Sequence, residues 1–125
     1  MNVRENLSIE ASKQMPEVVF ETNGNLRIAG RAVPDNAVPF FQVLSEWIEG
    51  LECEEVFFDI NLDYMNTSAS MQLFSLLRQL EQKQEIKKLV VYWHYEEDDE
   101  DHYDTGLCFE EKLERINFCY QIEAA

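Results

Sequence analysis

Between Val56 and Trp93 the apolar residues change period twice, and this limits the fold more than any other feature of the chain. Val56, Phe58, Ile60 and Leu62 alternate with Phe57, Asp59 and Asn61, the period of a strand with two distinct faces. Leu73, Leu77 and Leu80, with Phe74 and Leu76 beside them, then recur at helical spacing as far as residues 82–84. Leu89-Val90-Val91-Tyr92-Trp93 follows as a continuous β-prone run, the pattern of a strand covered on both faces in the middle of a sheet. A strand, a helix and a second strand in this order make a crossover between parallel strands.

The flanking segments extend the pattern. Val18-Val19-Phe20-Glu21 and Leu26-Arg27-Ile28-Ala29 enclose Thr22-Asn23-Gly24-Asn25, and Asn-Gly supplies the positive φ of a tight hairpin turn. Asp35 or Asn36 is placed to cap a helix over about residues 37–50, with Pro39 in its first turn and Phe40, Leu44, Trp47, Ile48 and Leu51 at helical spacing. Phe109, Leu113 and Ile116 predict a short third helix, and Phe118, Tyr120 and Ile122 a last strand. The expected class is α/β: a mixed β-sheet with helices packed on it, in the order β-β-α-β-α-β-α-β. Residues 1–16 read as an arm without an assigned element, and residues 17–125 as one domain. At 125 residues with 46% hydrophobic side chains, the chain suffices for one core and leaves no room for a second.

Charge narrows the partners. Twenty-five acidic against ten basic residues give a net charge of −15, which repels nucleic-acid phosphates and anionic lipid, so neither is expected as a partner. The N-terminal residues lack a signal-peptide pattern and no apolar run approaches membrane-spanning length, so a cytoplasmic location is expected. Cys53, Cys108 and Cys119 lack CxxC spacing, so neither a disulfide framework nor a zinc site is indicated.

Two segments carry chemistry. Asn66-Thr67-Ser68-Ala69-Ser70 joins a strand to a helix at the sheet edge where free N–H groups and a positive dipole collect ligands. The Thr67 or Ser68 oxygen is either a helix cap or a phosphate acceptor, and the two roles are compatible. From Glu96 to Asp104 there are seven carboxylates in nine positions. Such a run reads as a solvated loop, as oxygen ligands for Mg²⁺ or Ca²⁺, or as an acidic docking surface. Docking gains weight because this run leaves the same sheet edge as Thr67. The Ca²⁺-loop spacing is absent, so no metal is assigned. His94 and His102 stand beside the acids without a nucleophile motif, and no glycine-rich phosphate loop occurs, so neither an enzyme nor a cofactor is expected.

Gly30-Arg31-Ala32-Val33-Pro34-Asp35-Asn36-Ala37, Phe40-Phe41, Tyr64-Met65-Asn66-Thr67-Ser68 and Trp93-His94-Tyr95-Glu96-Glu97-Asp98-Asp99-Glu100-Asp101 resemble the successive motifs of the SiaC family of bacterial regulatory phosphoproteins. The resemblance implies a STAS-like fold, akin to SpoIIAA-type anti-anti-sigma factors. It also implies Thr67 as phospho-acceptor, with Ser68 as the alternative, and a partner surface of Asn66, Thr67, Ser68, Glu96, Glu97, Asp98, Asp99, Glu100 and Asp101. By the same resemblance the unmodified protein binds and promotes a diguanylate cyclase, linking it to cyclic-di-GMP and biofilm formation. A Ser/Thr kinase of the anti-sigma type opposes this and a PP2C-type phosphatase restores it. The sequence departs from the family where Ala69-Ser70-Met71 follows Ser68, with no basic residue before Arg78 to neutralise a phosphate. A metal- or small-ligand-binding protein using residues 96–104, and a scaffold indifferent to phosphorylation, are the alternatives.

Overall fold

The computed structural model describes residues 5–123. Its elements run β1 (Leu7–Ile9), β2 (Glu17–Phe20), β3 (Asn25–Ala32), α1 (Val38–Glu49), β4 (Glu55–Met65), α2 (Thr67–Glu81), β5 (Lys88–Glu96), α3 (Glu100–Lys112) and β6 (Asn117–Glu123). The six strands lie side by side in sequence order. β1, β2 and β3 pair antiparallel, and β3 through β6 pair parallel.

The β2–β3 hairpin forms where Asn-Gly predicts it. Gly24 has φ +98°, and a Cβ there would collide with the Glu55 carbonyl oxygen. Its own carbonyl accepts from the Phe57 N–H at 2.9 Å, so the turn is stitched to the start of β4. One strand precedes those expected from the sequence: Leu7–Ile9 pairs with Val18–Phe20 and extends the sheet. Three residues are too short to display a period, and only pairing to β2 makes them a strand.

A strand order that advances in one direction, with crossovers of one hand, lays every helix on one face. Burial follows that rule. Phe20, Ile28, Phe58, Ile60, Val91 and Trp93 are fully buried on one face, whereas Val19, Phe57, Asp59 and Tyr92 on the other are only half-buried. β5 therefore lies one strand in from an edge, and its outer face is only partly covered, in contrast to the expectation of a central strand covered on both faces. α1 buries Phe41, Leu44 and Ile48, and α2 buries Leu73, Leu76, Leu77 and Leu80, in one core with the sheet. Removing a side chain of this kind costs about 2–5 kcal/mol. Asn36 accepts from the Val38 N–H at 3.1 Å, one residue ahead of the α1 N-cap at Ala37.

Both ends of α2 are tied to distant chain. At its C-terminal end the Arg115 guanidinium donates to the carbonyls of Glu81, Lys83 and Ile86. The nearly buried Glu81 carboxylate accepts from the N–H groups of Glu114 and Arg115 at 2.8 and 3.0 Å. Glu81 and Arg115 thus satisfy helix-end carbonyls and loop amides that would otherwise stay unpaired.

The acidic run is not a loop. Glu96 ends β5, Glu97 and Asp98 turn, Asp99 caps α3, and Glu100, Asp101 and Asp104 lie in the helix. Carboxylates at a helix N-terminus are stabilised by the unpaired N–H groups and the dipole, which outweighs their mutual repulsion along an extended chain. The third helix is consequently longer than predicted and starts nine residues before Phe109. Among the described residues no helix is long and apolar enough to cross a membrane.

Candidate functional site

β4 and β5 are parallel, so the helices that follow them start at the same end of the sheet. At the first junction Asn66 adopts extended backbone, and its side chain accepts from the Ala69 N–H at 2.9 Å. The amide group of the same side chain donates to the Pro34 carbonyl at 2.8 Å, which fixes the helix start to the loop ahead of α1. Asn66 is therefore the N-cap, a role expected from the sequence for Thr67 or Ser68. A side-chain amide can satisfy both loop and helix because it is donor and acceptor at once.

That assignment separates the two hydroxyls. Ser68 is partly buried, and its Oγ accepts from the Ala37 N–H at 3.4 Å. Thr67 is exposed as the first residue of α2, and none of the hydrogen bonds that hold the junction uses its hydroxyl. The first turn of α2 contains no acidic side chain, so its positive end is uncompensated.

At the second junction Asp99 accepts from the His102 N–H at 3.0 Å. α3 is seated on Trp93, whose indole N–H donates to the His102 carbonyl at 3.1 Å and whose ring stacks on the His102 imidazole at 4.9 Å between centroids. Gly106 makes this approach possible: a Cβ there would lie 2.7 Å from the Trp93 indole nitrogen. His102 is 7% exposed and its Nε2 has no partner. Burial holds this imidazole below its ordinary pKa of 6.5, while the Asp99 charge and the His94 carbonyl oppose the shift.

Between the junctions lies a pocket of about 320 Å³ lined by Tyr64, Met65, Asn66, Thr67, Ser70, Met71, Asp99, Asp101, His102 and Thr105. The structure thus brings Asn66, Thr67, Asp99 and Asp101 together, whereas Ser68, Glu96, Glu97, Asp98 and Glu100 do not line it. Tyr64, Met71 and His102 belong to the site and were missed by sequence reasoning. The i+3 spacing from the Asx cap Asp99 to His102 was an available signal. A larger groove of about 560 Å³ continues between α2 and α3 over Met71, Phe74, Cys108 and Phe109. Tyr64 and Met71 are 55% and 64% exposed, leaving apolar surface around Thr67.

Elsewhere, His94 lies on β5 with Nε2 2.7 Å from Asp59 and Nδ1 2.6 Å from Glu123, linking β4, β5 and β6. Cys53, Cys108 and Cys119 are free thiols, and burial raises the Cys53 pKa. Among the described residues no group of three or more His, Cys, Asp or Glu side chains is arranged to hold a metal ion.

The model of the SiaC family regulatory phosphoproteins matches residues 9–123, nearly the whole chain. The chain belongs to the SiaC family. The fold agrees with solved SiaC structures from Pseudomonas aeruginosa: SiaC itself superposes with a TM-score of 0.82 at 21% identity over 96% of this chain and all of the other. Apo-SiaC gives 0.77 at 24% identity over 94% of this chain and 99% of the other. The same values hold for the crystal structure of the diguanylate cyclase SiaD in complex with its activator SiaC. No curated protein sequence matches closely enough to add to these. The SiaC-family membership and the mixed α/β sheet with packed helices expected from the sequence are thus established, and the chain is a regulatory phosphoprotein by family.

Proposed function

We propose that this SiaC-family protein is the switch of a partner-switching module, with Thr67 as the phospho-acceptor. The observation that carries the reading is the contrast between two neighbouring hydroxyls: Thr67 is exposed at the helix start, and Ser68 is turned onto the Ala37 N–H. A kinase needs a free hydroxyl on accessible backbone. The cap is held by Asn66, so modifying Thr67 leaves the bonds that start α2 in place.

In Pseudomonas aeruginosa, SiaC is the activator of the diguanylate cyclase SiaD and forms a complex with it. The unmodified form of the present protein takes the same part, binding a diguanylate cyclase and promoting its activity. The exposed Tyr64 and Met71 and the groove over Phe74 and Phe109 supply apolar surface for that contact next to Thr67. Phosphorylation adds about −1.5 to −2 charges beside Asp99 and Asp101, and a partner packed on the bare helix start then meets desolvation and repulsion. A Ser/Thr kinase of the anti-sigma type sets the modified state and a PP2C-type phosphatase removes it. The protein itself acts by binding, in the cytoplasm, without catalysis.

Mass spectrometry of protein treated with its cognate kinase tests the assignment. Phosphate on Thr67 is the expected result, and phosphate on Ser68 or elsewhere with Thr67 unmodified overturns it. Turnover of ATP by the purified protein alone would overturn the non-enzymatic reading.

A further inference from the structure

We propose that His102 is the receiving group for the phosphate of phosphorylated Thr67: its Nε2 takes a proton from solvent and donates it to a phosphoryl oxygen. The inference rests on the Thr67 reading and adds to it the residue that makes the modified state tolerable. A dianionic phosphate at Thr67 shares its pocket with the carboxylates of Asp99 and Asp101. Among the described residues no Lys or Arg lines the pocket wall, and the nearest basic residue along α2, Arg78, lies in its last turn, donating to the Lys112 carbonyl and standing over Phe74. His102 is the one side chain of that wall able to become positive.

Its polar atoms are arranged for this. The imidazole is held by the Trp93 stack on one side, and the His94 backbone beside it favours the protonated ring. Nε2 is buried without a partner, a cost normally relieved by a ligand or water. Trp93 stacks on the ring, the Asp99 charge and the His94 backbone act on it, and Asp101 of α3, Thr67 of α2 and Tyr64 of β4 line the same pocket as His102. In the unmodified protein burial favours the neutral ring. A phosphate on Thr67 reverses the balance, because an opposite charge at close range favours the imidazolium. The helix N-terminus and His102 would then share the phosphate, the first through N–H groups and the second through one charge-assisted hydrogen bond.

The test uses the full chain with phosphothreonine installed at position 67 during synthesis, so that it does not depend on which residue the kinase chooses. The chain has two histidines, and long-range ¹H–¹⁵N spectra follow both rings between about pH 5 and pH 8. His94→Gln assigns the His102 signal without touching the pocket. The expected result is an upward move of the His102 midpoint by about one to three pH units on phosphorylation, with the His94 midpoint unmoved. A His102 midpoint that does not rise, or one that moves equally with that of His94, overturns the proposal. A rise here, combined with kinase labelling away from Thr67, would remove the Thr67 reading and leave the pocket's affinity for phosphate standing.

Discussion

The β4–α2 and β5–α3 junctions are built alike and charged oppositely. Each follows a parallel strand, each ends in an Asx residue whose side chain accepts from the N–H three residues on, and both open on one pocket. At α3 the Asp99 cap accepts from the His102 N–H and Glu100 and Asp101 lie in the first turn, so the dipole is already answered by fixed charge. At α2 the first turn has no acid and the residue offered to solvent is Thr67. The fold supplies two equivalent anion-favouring helix ends. The side chains answer one with fixed carboxylates and leave the other without an acid in its first turn. On the proposed role of Thr67, the difference explains how a protein of net charge −15 would accept further negative charge at this point.

The strongest way to break this contrast is to charge α2 permanently. On the proposed function, Thr67→Glu should weaken binding of the proposed cyclase partner about a hundredfold, equivalent to ~2.7 kcal/mol, in a calorimetric titration, while Thr67→Ala should keep binding and abolish the proposed phosphorylation. Melting temperatures of both should stay close to that of the parent, because Asn66 still holds the cap.

Next in size is displacement of α3. Gly106→Ala forces a Cβ against the Trp93 indole and should cost about 1–3 kcal/mol in denaturant unfolding despite the better helix propensity of alanine. Since α3 carries Asp99 and Asp101, the same variant should also alter partner affinity. An unchanged stability would mean that the helix is not seated on Trp93.

The caps themselves should be worth about 1 kcal/mol each by Asn66→Ala and Asp99→Ala, with Asn66 the costlier because its amide also holds the Pro34 carbonyl. Asp99→Asn keeps the acceptor and removes the charge, so a loss limited to a few tenths would assign Asp99's effect to hydrogen bonding rather than to the dipole.

The smallest effect is in pH. His102 has a folded-state pKa lowered by burial from 6.5, so below that value the unfolded chain binds a proton that the folded chain resists. Its contribution is therefore complete above pH 6.5 and is lost as pH falls through the folded-state value. Wild type compared with His102→Gln should show a steeper stability loss on that acid limb, and parallel curves would contradict the burial argument.

Where the reading from sequence held and where it failed follows from the range of the interaction. The hairpin at Asn23-Gly24, the α2 stripe of Leu73, Leu77 and Leu80, and the alternation along β4 were legible because turn geometry and apolar period act within a few residues. α3 was half-missed because its buried face is made by His102 and Gly106 ahead of Phe109, residues that no hydropathy period marks. β1 was missed because three residues are a strand only by pairing.

The sequence alone determined the α/β class, the family motifs and the presence of Thr67 at a strand-to-helix junction, all of which depend on local pattern. Only the tertiary structure decided that Asn66 is the cap, that Ser68 is engaged while Thr67 is exposed, and that His102 reaches the same pocket. Those outcomes depend on the Pro34 carbonyl, the Ala37 amide and the Trp93 ring, partners from 9 to 32 residues away. Hydrogen bonding and packing between segments so separated are set by how the parallel strands bring their ends together, which no single stretch of sequence records.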